Sequence, residues 1–230
     1  MSYGPQPWLQ QSWDARAAGN FMAGGAGSGL VVFTALAGGP RWAYGLGALL
    51  VCVGLFSVFL EIGRPLRAAN VVRQPGKSWM AREALVAPVL LAASLAAWAG
   101  VGWAGEAAAL AALAFVYCQG RILQGAKGIP AWREPLLVPL FVATGLAEGG
   151  GIQLWIAGRG AAPLWAAFLI VLAARFALWS AWRGRVHTAP RALAQIDAAG
   201  RVFKTATLVA AALAVVALLA PASPLLAWAL

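Results

Sequence analysis

Apolar residues run along this chain in long unbroken blocks, with the polar positions gathered between them. The blocks occupy about residues 18–38, 42–61, 80–101, 104–121, 135–157 and 163–183, and a last one starts near 205. A helix rises 1.5 Å per residue, so about 20 residues cross a hydrocarbon layer about 30 Å thick. The pattern therefore predicts an all-α fold, a polytopic bundle of about seven transmembrane helices forming a single integral membrane domain over residues 1–230. Pro221 and Pro224 either kink the last helix or split off a tail, which leaves an eighth helix open. A membrane β-barrel does not fit, because its strands alternate apolar and polar residues over segments of about ten.

The breaks between blocks carry local signals. Pro40-Arg41, Gly102 and Arg159 mark short turns. Ser78 is placed to cap the third helix, since its hydroxyl can accept from a free first-turn amide. Residues 1–17 form a short interfacial segment in which Trp8 and Trp13 suit the headgroup layer. They lack a basic start and a cleavage site, so no secretory leader is expected. Residues 183–204 are polar and basic, and RALAQIDAAG within them reads as a short surface helix. The first block holds GNFMAGGAGSG and the fifth holds GLAEGGG. This echo fits either two parallel bundles or the general use of small residues where membrane helices pack closely.

Composition agrees with the pattern. The chain is 62% hydrophobic and only 10% charged, with a mean hydropathy of +0.77. A soluble domain carries about 25% charged residues. The formal net charge of +10 would point to nucleic acid in a soluble protein. Here the cations lie in the loops between apolar blocks, so no nucleic-acid partner is expected and the lipid bilayer is. All but three of the 17 Lys and Arg fall at one end if the helices alternate in direction; Arg41, Arg159 and Arg175 are the exceptions. By the positive-inside rule the N-terminus and the basic loops face the cytoplasm, as in a multi-pass protein of a bacterial inner membrane.

The densest polar run is residues 61–83, which reads as a basic docking loop with Glu61 and Glu83 at its ends. Ionisable residues in or near hydrocarbon are functional candidates. Glu61 stands as a proton carrier for quinone chemistry or as a partner for Arg64 or Arg82. Glu148, followed by three glycines, stands as part of a proton path or as a pair with Arg175. Asn20, Trp79, Tyr117, Gln119, Arg121 and Trp132 fall toward the basic end. There they suit a quinone head, with donors for its carbonyls and aromatic rings for its faces, or serve as plain interfacial anchors.

Other chemistries lack parts. His187 is the single histidine, so a bis-histidine haem is excluded. Cys52 and Cys118 lie in apolar blocks and cannot supply a metal cage. Lys204 is expected at a helix boundary, not deep in a span as a retinal Schiff base would need.

At LEIGRPLRAANVVRQPGKSWMARE, residues 60–83, the chain resembles the membrane subunits of complex iron–sulfur molybdoenzymes. This is the NrfD-type family, with the polysulfide-reductase and dimethyl-sulfoxide-reductase anchors. The matching positions are Glu61, Gly63-Arg64-Pro65, Ser78-Trp79 and Arg82-Glu83. The opening WDARAAGNFMAGGAGSG looks most like the anchor of phenylacetyl-CoA:acceptor oxidoreductase-type complexes. Two departures stand out: known members have eight or more helices, and the dimethyl-sulfoxide-reductase branch has His where Glu61 stands here. The resemblance implies a subunit without haem or metal of its own. It would anchor an iron–sulfur electron-transfer subunit, itself linked to a molybdopterin catalytic subunit. Ubiquinone or menaquinone would bind beside the docking face, contacting Arg64, Arg82 and Glu83 among others. The alternative from another class is a small proton-coupled transporter with Glu148 as its coupling site.

Overall fold

The computed structural model describes residues 13–60, 70–126, 128–158 and 162–219, and these are helical almost throughout. The elements are α1 (Ala15–Ala37), α2 (Trp42–Phe59), α3 (Trp79–Trp98), α4 (Ala104–Gln124), α5 (Leu137–Ala157), α6 (Ala162–Arg185) and α7 (Pro190–Leu219), with a 3-10 turn at Pro130–Arg133. No strand occurs among the described residues. All seven helices are long and apolar enough to cross a membrane. Side chains such as Leu49, Phe56, Leu110, Ile170 and Leu213 stand exposed on the outside of the bundle, as lipid contact requires.

Helix α1 is the centre of the bundle, and its glycines explain why. It packs on α2, α4 and α5. A methyl added at Gly27 would lie 2.6 Å from the Gly47 carbonyl of α2, and one at Gly54 of α2 would lie 2.8 Å from the Asn20 carbonyl. On the other side, a methyl at Gly145 of α5 would lie 3.0 Å from the Gly25 carbonyl, and Gly149 rests directly on the backbone of Gly29 and Leu30. The backbones touch because no Cβ separates them, which lets dispersion and weak Cα–H contacts form along the crossing. The order of these contacts shows α1 antiparallel to α2 and parallel to α5. The two glycine segments that echo each other in the sequence are thus packing partners.

Two apolar clusters flank this spine. One joins α1 to α4 through Val31, Val51, Leu90 and Phe115. The other joins α1, α5, α6 and α7 through Phe33, Leu154, Phe168, Leu172 and Ala214. A third, at the basic end, gathers Leu123, Leu137, Trp182 and Val186 beneath Trp13, Trp132 and Phe203.

Helix starts follow their capping residues. The Asp14 carboxylate accepts from the backbone N–H of Arg16 at 2.8 Å and of Ala17 at 3.4 Å. The Ser78 hydroxyl accepts from the Ala81 N–H at 3.3 Å, as its position in the sequence predicts. Gly38 closes α1 with φ +59° and Gly100 closes α3 with φ +94°, a conformation that other residues adopt only with strain.

One expectation is overturned. The surface helix expected within 183–204 and the span expected from 205 are a single 30-residue helix, α7. Nothing between Arg191 and Leu219 breaks it. Gly200, the candidate breaker, is instead where the Trp179 ring of α6 closes onto α7. The Arg183–Asp197 pair, at 2.5 and 2.8 Å, clips the same two helices one turn further out. At 1.5 Å per residue α7 is about 45 Å long, more than the hydrocarbon layer needs. Lys204 accordingly stands inside a helix, exposed, and not at a boundary. The tail carrying Pro221 and Pro224 lies outside the described residues, as do residues 1–12 with Trp8, and Lys127 and Arg159.

Because Gly149 has no room for a side chain, Gly149→Val should destabilise the bundle by about 2 kcal/mol or more. Gly184→Ala, where the added methyl meets nothing within 4 Å, should be neutral or stabilising by up to about 1 kcal/mol. Thermal unfolding in detergent, followed by fluorescence size-exclusion, checks both.

Candidate functional site

A cavity of about 570 Å³ opens at the basic end, between the start of α1, the end of α2, the start of α3 and the end of α4. Its walls include Trp13, Asn20, Phe21, Val58, Lys77, Trp79, Glu83 and Arg121. Glycine packing positions the first of these: α1 lies so close to α2 and α5 that Asn20, one turn inside the helix, is 2% exposed. Arg16 fixes the rim by reaching from Asp14, 2.7 Å away, to the Leu60 carbonyl at the end of α2, 3.2 Å away.

Trp79 forms one wall, directly after the Ser78 cap. The Arg82 guanidinium lies 4.0 Å from its ring centroid and that of Arg121 lies 4.6 Å away. Tyr117 meets the same ring edge-on at 5.6 Å. Each cation–ring contact is worth about 0.5–2 kcal/mol, more where water is excluded. Arg82 also donates to the Pro75 carbonyl at 2.7 Å and the Gly76 carbonyl at 3.0 Å, so it ties the loop to the start of α3. Opposite, Trp13 packs on Trp132 at 4.8 Å and on Phe21 at 5.8 Å, and Phe21 continues to Phe141 of α5.

Polar groups at the cavity are incompletely paired. Gln119 is fully buried, and its Nε2 donates to the Asn20 carbonyl at 3.3 Å. Yet Asn20 Oδ1, Glu83 Oε1, Gln119 Oε1 and Arg121 Nε have no partner. Buried polar atoms are normally satisfied, so four open valences at or just behind the walls of one cavity mark a place for a polar ligand or ordered water.

The structure brings together most of the expected residues. Asn20, Trp79, Glu83 and Arg121 line the cavity. Gln119, Arg82, Tyr117 and Trp132 stand directly behind those walls. Glu61 and Arg64 lie outside the described residues. Trp13, Phe21 and Lys77 are additions. Trp13 reads in the sequence as a headgroup anchor, and only its packing on Trp132 reveals it as a wall.

Glu148 does not join this site. It is exposed on α5, and neither cavity described for the molecule is lined by it. The expected partner Arg175 lies near enough for the two charges to feel each other, but they make no direct ion pair within 4.0 Å. Arg175 turns instead toward α7, where Nη1 donates to the Thr207 hydroxyl and the guanidinium lies 3.7 Å over Phe203. Arg82 is held by loop carbonyls, and its expected partner Glu61 lies outside the described residues. His187 is exposed beyond the end of α6.

Two bonds from Arg16 hold the Asp14 carboxyl below the usual carboxylate range. The stabilisation they bring is present above the ordinary aspartate pKa of about 3.9 and is lost as pH falls through the lower value of the folded state. Acidification below about pH 4 should therefore fray the start of α1, read as a change in Trp13 emission. Asp14→Asn should show no such transition.

No family model matches the chain. The chain is similar to one of the subunits of sulfite dehydrogenase from Allochromatium vinosum, with 30% identity over 121 aligned positions. The match covers 44% of this chain and 37% of that protein, so the chain spans little more than a third of the relative it matches.

Proposed function

We propose that this chain is the quinone-reactive membrane subunit of a multi-subunit oxidoreductase, passing electrons between an iron–sulfur partner and quinone in the bilayer. The observation that carries the reading is the cavity at the basic end, walled by Trp79 and Trp13 and edged by the open valences of Asn20, Glu83 and Arg121. A volume of about 570 Å³ falls in the usual range for small-molecule sites, roughly 300–1,000 Å³. A quinone head asks for flat apolar walls and hydrogen-bond partners for two ring oxygens. The cavity offers both, and it opens at the level where a lipid-soluble molecule meets the membrane surface. Bound quinone supplies a mobile carrier of two electrons and two protons.

This chain's residues would orient the ring against Trp79, exclude water from it and hold its oxygens from Arg121 and Asn20. The basic end, with Arg73, Lys77 and Arg201 exposed on it, offers a seat for an acidic iron–sulfur protein. A molybdopterin catalytic subunit would dock on that partner, on the cytoplasmic side of a bacterial inner membrane. The relative, itself part of a sulfite dehydrogenase, supports membership of a redox complex. The transporter reading loses support, because Glu148 faces neither cavity.

Purification in mild detergent tests the proposal. Iron–sulfur and molybdopterin proteins should co-purify, and bound quinone should be extractable. Ala126→Trp, which fills the cavity from its rim, should lower quinone-linked turnover at least about tenfold and leave turnover with a soluble dye intact. A stable lone polypeptide of 23.8 kDa without quinone would refute it.

A further inference from the structure

Glu148 is left over once the cavity is accounted for, and its position is a costly one. It stands in the middle of α5 and is exposed. Trp155, two turns further along, is 78% exposed on the same side. Thr144 and Ile152, one turn before and one turn after Glu148, are half-buried on that stripe. Counted from the basic end, Glu148 is 11 residues into α5, about 16 Å at 1.5 Å per residue. That is the middle of a hydrocarbon layer about 30 Å thick. A carboxyl at this depth almost always faces protein or water, because lipid offers it no partner.

Its neighbour of opposite charge sits on the least covered part of the bundle. Helices α6 and α7 are the least buried of the seven spans, and α7 rests on α6. Arg175 of α6 is half-buried and stands 10 residues from the basic end of that helix, about 15 Å. Acid and base therefore lie side by side at one depth, close enough to feel each other yet without a direct ion pair. Arg175 donates from Nη1 to Thr207 and lies over Phe203. A guanidinium carries five N–H donors, so these contacts leave others for an acid.

We propose that the outward face of α5 and α6 around Glu148 is a dimer interface, on which a second copy of this chain sets its Arg175 against Glu148 and its Glu148 against Arg175. Two copies inserted in the same sense can share a twofold axis only along the membrane normal. Rotation about that axis leaves every residue at its own depth. An acid and a base at one depth then exchange places across the axis, and each charge meets its opposite twice over. A helix of another sequence would need a cation at that level by coincidence, whereas a second copy carries one by construction. Two ion pairs at the centre of the interface would also fix its register, since sliding either copy along the normal separates both pairs. The inference stands on charge and depth and does not rest on the quinone reading.

Energy transfer between two labelled populations of the full-length chain, reconstituted together in phospholipid vesicles and diluted with lipid, provides the test. The wild-type chain should dimerise. Glu148→Leu leaves two guanidiniums unpaired in the interface. Arg175→Gln keeps a donor for Thr207 and leaves two carboxyls unpaired. Each variant should weaken self-association at least about tenfold. Mixed together, the two variants should prefer each other to themselves. The mixed pair keeps one complete Glu148–Arg175 contact and removes both charges of the other. Leu110→Ala, on the exposed surface of α4, should associate as the wild type does. If either charge variant does not fold, Glu148→Gln or Arg175→Met takes its place with the same expectations. A wild-type chain that stays monomeric overturns the proposal and leaves Glu148 to a helix of another subunit. Wild-type association by Glu148→Leu, or a mixture without preference, overturns it as well.

Discussion

Everything at the basic end depends on how closely α1 approaches its neighbours. Helix axes in proteins usually lie 8–10 Å apart, at a separation set by the side chains between them. Here Gly27 meets Gly47 on one side, and Gly25, Gly29 and Gly149 meet across the other. Inside a bilayer there is no hydrophobic gain from hiding apolar residues from lipid, so this backbone contact is a principal source of cohesion. It also has a geometric result. A helix drawn this far inward carries its polar residues with it, and Asn20 and Ser28 become fully enclosed. Asn20 can then serve as a cavity wall, whereas on a looser helix it would face lipid headgroups.

The same constraint sets the electrostatics of the cavity. The two cations nearest the polar wall, Arg82 and Arg121, are drawn to the Trp79 ring, and Arg82 is further held by two loop carbonyls. These contacts compete with ion pairing to Glu83. Fixed carbonyls and a flat ring give a planar guanidinium several partners at once. A single carboxylate behind the ring would have to offset the loss of all of them. The outcome is a buried acid without a salt bridge and a guanidinium with a free Nε, both facing one space. Closing either valence with a protein partner would remove the site.

Much of this was legible in the sequence, and the misses have physical causes. The spans were legible because hydrocarbon demands unbroken apolar helices, and the Ser78 cap because a hydroxyl before a helix has few other uses. Asn20, Trp79, Glu83 and Arg121 were legible as polar or aromatic residues at span ends. The continuity of α7 was not, because charged residues over its first half resemble a loop until Trp179, Asp197 and Thr207 are seen docking it on α6. Glu148 and Arg175 feel each other's charge but make no direct ion pair, for a related reason. Opposite charges at similar depth suggest contact, but rotation about the helix axis decides it, and Arg175 faces α7. Trp13 shows the same limit: depth is readable from sequence, and azimuth is not.

In the proposed function the clustering of cations at one end would serve two roles that are not rivals. Several are already paired or bonded: Arg16 with Asp14 and Leu60, Arg183 with Asp197, and Arg185 with Glu134 at 3.7 Å. Solvent screens exposed pairs of this kind, so their first effect is on position and not stability. They fix helix ends without cancelling the field, because cations far outnumber carboxylates at that end. Under the proposed reading, the surplus charge would hold that end on the anionic side of a membrane through the positive-inside bias. At physiological salt the field decays over about 8 Å, so beyond the membrane it is felt only by something that comes into near contact. An acidic redox protein seated there would bring its electron carrier to the face on which the cavity opens. Under that reading topology and docking would both follow from one charge distribution, and the cavity lies beneath it because the same helix ends build both.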